Sequence, residues 1–244
     1  KQLVGWGEAP SCKVRTVVGL IDTTVDAAHP ALRGEAIKVL RVRGDDREAS
    51  SATHGTAVAS LLVGRPDSAT PGLLPRSRLV AADAFHRTSR GDDLMDAFAF
   101  AAALDALAAQ GVGVVNLSFA GPANVVIENS IAKAQARGMV LVAAVGNDGP
   151  MASPRYPAAY ADVIAVTAVR SDLNVFRRAV RGQHVAIAAP GVDVWTAQTL
   201  DARNTSLFGP QTGTSMAAPI SITCWRRWPA TVRCGRGGCS RSRK

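Results

Sequence analysis

The amino-acid sequence predicts an α/β fold in which a mostly parallel sheet carries helices on both faces. Apolar runs rich in β-branched residues alternate with segments of helical periodicity, as expected of βαβ crossovers. The runs show little polar alternation, which indicates strands buried on both faces. With 244 residues, 47% hydrophobic and 19% charged, the chain is long and apolar enough for one large domain or two small ones.

The first predicted strand is Lys13–Asp22, a continuous apolar and β-branched run. A helix is predicted at Thr53–Gly64, where apolar residues have helical spacing and glycine ends the segment. Two more helices are predicted at Asp92–Gln110, which opens with two aspartates, and at Asn124–Arg137, and each is followed by glycine. Further strands are predicted at Arg78–Phe85, Val112–Phe119, Met139–Val145, Val163–Val169 and His184–Ala188.

Polar side chains lie at or just beyond the ends of three predicted strands. Asp22 ends the first strand, Ser118 lies near the end of another, and Asn147 follows a third. Ligands of open α/β sheets bind beyond the carboxyl ends of the strands. The sequence therefore predicts that these three residues converge on one site.

The net charge of +9 is concentrated at the end of the chain. Residues 220–244 contain seven basic residues and no acid, and the remainder has 21 basic and 19 acidic residues. A nearly neutral body does not predict a nucleic-acid surface. No apolar run reaches the roughly 18 residues that span a bilayer, and no signal peptide is recognisable.

Four short motifs contain the residue types of nucleophilic catalysis: IDTTVDAAHPAL from Ile21, HGTAVASLLVG from His54, AAVGNDGP from Ala143 and GTSMAAP from Gly213. A serine hydroxyl needs an adjacent base, histidine has a suitable pKa, and a carboxylate fixes the histidine tautomer. In this order the motifs resemble those of the subtilisin-like serine peptidases. The resemblance covers roughly residues 14–219 and implies a three-layer subtilisin-like fold.

The resemblance implies a role for each motif residue. Ser215 would be the nucleophile, His54 the base and Asp22 the residue that orients the base. The side-chain amide of Asn147, with the Ser215 backbone N–H, would stabilise the oxyanion. Each residue also has a structural interpretation, such as a turn for Asp22 or a helix cap for Ser215, and Asp26 competes with Asp22. The specific motif order favours catalysis.

Substrate contacts follow from the same resemblance. A strand edge would pair with an extended polypeptide, and small residues would form the opposite wall of the pocket. The edge residues are Ser118, Phe119, Ala120 and Gly121, and the wall residues include Ala144 and Gly146. We expect broad specificity with an apolar preference, a monomer, and a location outside the cell. The reaction requires no cofactor, and the resemblance allows calcium without indicating its ligands.

Three positions depart from the family pattern, and one of them, Ala57 in place of a frequent histidine, should be tolerated. Thr24 occupies a position that usually holds glycine, so a shift of the Asp22 loop is expected to be possible. Phe119–Ala120 replaces Leu-Gly, and the added Cβ is expected to crowd a bound peptide. His29, His86 and His184 are interpreted as structural or surface residues.

The end of the chain differs most from the family. Residues 1–219 are predicted to form the peptidase domain, and residues 220–244 a basic Cys/Arg-rich tail, aberrant or disordered, resembling translation in a wrong reading frame. The tail cysteines lack the paired spacing of a zinc site. The tail leaves an alternative open, a non-catalytic truncated protein that folds poorly or only binds peptide. A nucleic-acid binder would depend on the tail charge alone.

Overall fold

The computed structural model describes residues 17–75, 77–200 and 206–225, with the backbone of 234–235 and 238–239. Its centre is a seven-stranded sheet in the order β2-β3-β1-β6-β7-β8-β9, with every neighbouring pair parallel. The sheet strands are β1 (Val17–Asp22), β2 (Ile37–Arg41), β3 (Arg78–Asp83), β6 (Val114–Leu117), β7 (Val140–Ala144), β8 (Ile164–Val169) and β9 (Val185–Pro190). Short antiparallel pairs are formed by β4 (His86–Arg87) with β5 (Asp93–Leu94), β10 (Val194–Ala197) with β11 (Phe208–Gln211), and Cys234–Gly235 with Gly238–Cys239.

Helices cover both faces of the sheet, which confirms the predicted α/β class and three-layer arrangement. The helices are α1 (Ala52–Val63), α2 (Ala97–Ala109), α3 (Val125–Ala136) and α4 (Thr214–Trp225). Alternate residues of each central strand face opposite layers, so Leu20 packs in the core with α1 and α4 while Ile21 packs in the core with α2 and α3. These two cores pack closely against both faces of the central strands, so the residues at the ends of these strands are also held in place.

The predicted helices are confirmed, but one begins later than the sequence suggested. We expected a start at Asp92, whereas α2 begins at Ala97 and Asp96 is its N-cap, accepting hydrogen bonds from two backbone N–H groups. Asp93 instead lies in β5, and its carboxylate accepts from the Ser51 N–H. Three aspartates within five residues all satisfied the helix-start rule, and the local hairpin decided among them.

The sequence did not predict the strands that have one exposed face. Edge strand β2 is half exposed along its length, and the β10–β11 pair is short and contains Pro210. The predicted strands are otherwise present, most of them shorter by one to three residues at their ends. Missing these elements did not affect the predicted site, because β1, β6 and β7 lie side by side in the sheet.

Helix α4 packs against α1 and against strands β6 to β9. Its described side chains are buried except for the half-buried Ser215, and Ile220 and Ile222 are 6% and 2% exposed. Most of the tail lies outside the described residues, so its aberrant or disordered character and the boundary at residue 219 stay predictions. Within the described part of the chain, no helix is both long and apolar enough to span a membrane.

Candidate active site

The predicted triad residues lie at the termini of three elements that meet at the carboxyl edge of the sheet. Asp22 is the last residue of β1, His54 lies in the first turn of α1, and Ser215 lies in the first turn of α4. Ser118 and Asn147 lie just beyond the neighbouring strands β6 and β7. The predicted convergence is therefore present in the structure.

The carboxylate of Asp22 is hydrogen-bonded to the His54 ring. Asp22 is buried at 2% exposure, and its Oδ1 accepts from His54 Nδ1 at 2.7 Å and from the Thr23 backbone N–H at 2.7 Å. Because a carboxylate oxygen only accepts, Nδ1 carries the hydrogen and Nε2 is left as a proton acceptor. This is the tautomer that a general base needs.

The sequence His-Gly-Thr at the start of α1 holds the helix against the Asp22 loop. The Gly55 N–H donates to Thr23 Oγ1 at 2.9 Å, and a Cβ on Gly55 would lie 2.4 Å from the Thr23 carbonyl oxygen. Thr56 is fully buried, and its Oγ1 accepts from the Asp26 N–H. Glycine permits the close approach, and threonine anchors the loop behind the carboxylate.

Neither Asp26 nor Thr24 disturbs this pair. The Asp26 carboxylate accepts from the nearby Ala28 N–H, so it has a turn role. Thr24 donates its N–H to Ser50 Oγ, and the expected shift of the Asp22 loop is not seen, since the contact to His54 is 2.7 Å.

Ser215 and Ser118 hold each other through two hydrogen bonds. Ser118 Oγ donates to the Ser215 carbonyl at 2.8 Å, and Ser215 Oγ donates to the Ser118 carbonyl at 2.9 Å. The Ser215 carbonyl would normally accept from the N–H four residues later in the helix, but that residue is Pro219, which has none. Buried Asn116 orients Ser118 by donating from Nδ2 to its Oγ. The proline of GTSMAAP therefore leaves the Ser215 carbonyl free to accept from Ser118, which lies just after β6 and holds Ser215 in position.

The amide of Asn147 is oriented by Thr214. Its Oδ1 accepts from the Thr214 backbone N–H at 3.0 Å and from Thr214 Oγ1 at 3.1 Å. Since a backbone N–H only donates, the oxygen must face Thr214, and Nδ2 points away with its hydrogens available. Nδ2 lies beside the Gly213 backbone, immediately before the nucleophile-bearing turn.

A pocket of about 230 Å³ opens beside Ser215. Four of the six predicted substrate residues line it, namely Phe119, Ala120, Ala144 and Gly146, together with Asn147, the predicted oxyanion residue. Ser118 and Gly121 do not line it. Thr214, Asp148 and Arg178 also line it, and sequence reasoning missed them as pocket residues. Thr214 could have been found inside the GTS motif, whereas Arg178 lies in a loop without a recognisable motif.

The predicted peptide-binding edge is shorter than expected. Both backbone groups of Gly121 are used, because its N–H and C=O pair with Tyr156 in an antiparallel bridge. Phe119 and Ala120 have no backbone hydrogen bond within the described residues. An extended peptide could therefore pair with Phe119 and Ala120 but not with Gly121. Ala120 Cβ lies close to Gly146 across the pocket, and the crowding of a bound peptide by Ala120 stays a prediction.

The other histidines have structural contacts. His29 is 2% exposed, accepts the Ala31 N–H at Nδ1, and points Nε2 at the carbonyls of Gln198 and Leu207. His86 is buried and accepts from Arg47. Half-buried His184 has a lowered pKa because burial disfavours its charged form. No group of three or more His, Cys, Asp or Glu side chains within the described residues could hold a metal ion, so we assign no calcium site.

The His54 environment gives a testable pH dependence. Burial lowers the pKa of His54, but the charge of Asp22, the hydrogen bond to it and the charge of Asp93 together raise that pKa above its ordinary 6.5. A general base must be neutral, so activity should fall as pH drops through this raised pKa. We expect the acidic limb of kcat/KM to lie above pH 6.5 and to move to lower pH in Asp93→Asn. An acidic limb unmoved by Asp93→Asn would contradict this assignment.

A parallel sheet with an Asp–His pair, a helix-borne serine and an amide donor at one edge defines a serine hydrolase type of site. The chain belongs to the subtilase family, a family of serine proteases, and the family's sequence model matches residues 14–221. The chain is 34% identical to the thermophilic serine proteinase of Bacillus sp. (strain AK1), over 83% of this chain and 49% of that protein. It is 33% identical to subtilisin DY of Bacillus licheniformis, over 83% and 72%.

A solved structure supports the same family. The prenylagaramide maturation protease PagA superimposes with a TM-score of 0.72 at 28% identity, covering 85% of this chain and 73% of that chain. The family assignment agrees with the resemblance in the four motifs. The chain spans about half of the Bacillus sp. (strain AK1) proteinase and nearly three quarters of subtilisin DY.

Proposed function

We propose that this chain is a serine endopeptidase that hydrolyses peptide bonds through an acyl-enzyme on Ser215. His54 acts as base and then as acid, Asp22 orients it, and Asn147 stabilises the oxyanion. The observation that carries the proposal is the 2.7 Å contact between buried Asp22 and His54 Nδ1 at the sheet edge where Ser215 opens onto a pocket.

The first half-reaction forms the acyl-enzyme. Ser215 Oγ attacks the scissile carbonyl carbon while its proton passes to His54 Nε2, giving a tetrahedral oxyanion. Asn147 Nδ2 and the Ser215 backbone N–H donate to this oxyanion, and the dipole of α4 favours its charge. The C–N bond then breaks, His54 returns the proton to the leaving amine, and an ester remains on Ser215.

The second half-reaction restores the enzyme. A water molecule gives one proton to His54 and its oxygen attacks the ester carbonyl, passing through a second oxyanion at the same donors. The C–Oγ bond breaks and His54 returns the proton to Ser215. No step requires a metal or organic cofactor, so we propose hydrolysis by the side chains alone.

Substrate binding would also release the nucleophile. The Ser215 hydroxyl donates to the Ser118 carbonyl, which lies next to the open edge at Phe119 and Ala120. A peptide N–H donating to that carbonyl would replace the hydroxyl and free it to turn towards His54. Recognition of backbone groups tolerates many side chains, so we propose broad specificity on polypeptides, as a monomer located outside the cell.

The second candidate function is a non-catalytic protein that retains the fold and at most binds peptide. The unusual composition of residues 220–244 favours it, because α4 continues into that segment as far as Trp225. The buried Ile220 and Ile222 favour the catalytic alternative, since they hold α4 in the core beyond the nucleophile.

Labelling with a fluorophosphonate probe tests the proposed function. The probe phosphonylates a serine only when a neighbouring base activates it, so the parent chain should be labelled and Ser215→Ala should not. Ser130→Ala is a matched control, because Ser130 Oγ donates to the Val126 carbonyl within α3, far from the site in the fold. Soluble, folded protein that is not labelled would contradict the proposal and leave the non-catalytic candidate.

A further inference from the structure

The pocket beside Ser215 contains an arginine without an ion-pair partner among the described residues. Arg178 lines the pocket and is exposed to solvent. The acidic residue of the pocket, Asp148, is already paired, since Arg155 Nε donates to its Oδ2 at 2.8 Å. Asp148 is thus neutralised by a residue on its own loop, and Arg178 gives the pocket an excess of positive charge.

The backbone around Arg178 is fixed to the pocket wall. Its carbonyl accepts from the Gly149 N–H at 2.9 Å, and the next-but-one residue, Val180, donates its N–H to the Gly146 carbonyl at 3.1 Å. Ala179 and Val180 are fully buried. These contacts hold the backbone on both sides of Arg178 against the loop that carries Asn147, so the arginine side chain extends from a fixed point on the pocket wall.

We propose that the pocket selects peptides that place a carboxylate next to the scissile bond, with Arg178 as the specificity-determining residue. The inference rests on the proposed endopeptidase function and replaces the apolar preference expected from the sequence. A guanidinium offers a planar fork of N–H donors that matches a carboxylate and can bind it with two parallel hydrogen bonds. A substrate with an apolar side chain at this position would leave the Arg178 guanidinium without an ion-pair partner and would gain little binding affinity from the contact.

The expected preference is moderate because Arg178 is exposed. Ion pairs in contact with water are screened and contribute weakly, whereas charge-assisted hydrogen bonds with good geometry contribute more. For an exposed ion pair that also forms charge-assisted hydrogen bonds, we therefore expect a preference of about three- to tenfold for a glutamate over a glutamine at the same position. Backbone recognition by the strand edge would still allow slower cleavage of neutral sequences.

The test is to digest a library of peptides from denatured proteins and to identify the residues flanking each cleaved bond by mass spectrometry. The parent chain is compared with Arg178→Gln, with the charge reversal Arg178→Glu, and with Arg177→Gln as control. Arg177 is an exposed neighbour that does not line the pocket. A second digest with C-terminally amidated peptides distinguishes a side-chain carboxylate from the terminal carboxylate of the substrate.

We expect aspartate and glutamate to be enriched at one position beside the bond cleaved by the parent chain and by Arg177→Gln. The enrichment should disappear in Arg178→Gln, and lysine and arginine should replace the acids in Arg178→Glu. Cleavage concentrated beside the C-terminal residue and lost on amidation would assign the carboxylate to the peptide terminus, and would overturn the selection of a side chain. Cleavage without acidic enrichment, or enrichment unchanged in Arg178→Gln, would overturn the inference and leave the endopeptidase function intact. No cleavage by the parent chain would overturn both.

Discussion

Asp22→Asn is expected to lower kcat about 10,000-fold while the fold is retained, a loss typical of amidating a triad carboxylate. In the structure both hydrogen bonds of Asp22 converge on one oxygen, from His54 Nδ1 and from the Thr23 N–H. An asparagine can keep its oxygen there, but it no longer carries the charge that stabilises the imidazolium formed during attack. If its amide turns the other way, it donates to the ring and selects the wrong tautomer.

The neighbouring aspartate provides a matched control for this measurement. Asp26→Asn changes the same charge four residues later, where the carboxylate accepts, among the described residues, from the Ala28 N–H alone. We expect its kcat to stay close to that of the parent, because this carboxylate has a turn role. Comparable losses in both variants, measured with circular dichroism to verify folding, would contradict the assignment of Asp22.

Asn147→Ala is expected to lower kcat by about 100- to 1,000-fold with little change in KM, a range established for this donor in a subtilisin. In the proposed role the amide binds the substrate oxygen mainly when negative charge develops on it, so its loss should affect the transition state more than the bound substrate. Because Thr214 donates two hydrogen bonds to Asn147 Oδ1, the Asn147 Nδ2 group is already oriented before any substrate binds. Such preorganisation is what makes one hydrogen bond this effective.

Thr214→Val tests the orientation of the Asn147 amide separately from its hydrogen bond to the oxyanion. Valine has nearly the shape of threonine but lacks the hydroxyl that donates to Asn147 Oδ1, while the backbone N–H of residue 214 still donates to it. We therefore expect a loss in kcat clearly smaller than that of Asn147→Ala. An effect of Asn147→Ala confined to KM would indicate that the residue binds substrate in the ground state and does not stabilise an oxyanion.

The sequence predicted those parts of the site that depend on local motifs. Asp22, His54 and Ser215 are each placed at the terminus of an element whose boundary the sequence marks, and a parallel sheet brings such termini to one edge. The contacts of Thr214 with Asn147 and of Ser118 with Ser215 join residues 67 and 97 positions apart. Such pairs depend on tertiary packing, and no local pattern specifies them.

The residues of the pocket wall also depend on tertiary contacts that no local sequence pattern specifies. Gly121 was assigned to the peptide edge from its motif, but the loop around Tyr156 pairs with both of its backbone groups. Arg178 enters the pocket from a loop between β8 and β9 whose sequence predicts only exposure. Exposed charges are common on loops, so their side chains become informative only when the fold shows which surface they line.

The position of the nucleophile in the chain has a consequence for biosynthesis. Ser215 lies at the start of α4, which packs against α1 and against four strands formed by earlier parts of the sequence. A ribosome completes Asp22 and His54 long before it reaches Ser215, so the nascent chain contains the proposed base and its orienting carboxylate before the proposed nucleophile. All seven strands of the central sheet precede Ser215 in the chain, so the proposed nucleophile is synthesised only after the whole sheet on which α4 docks.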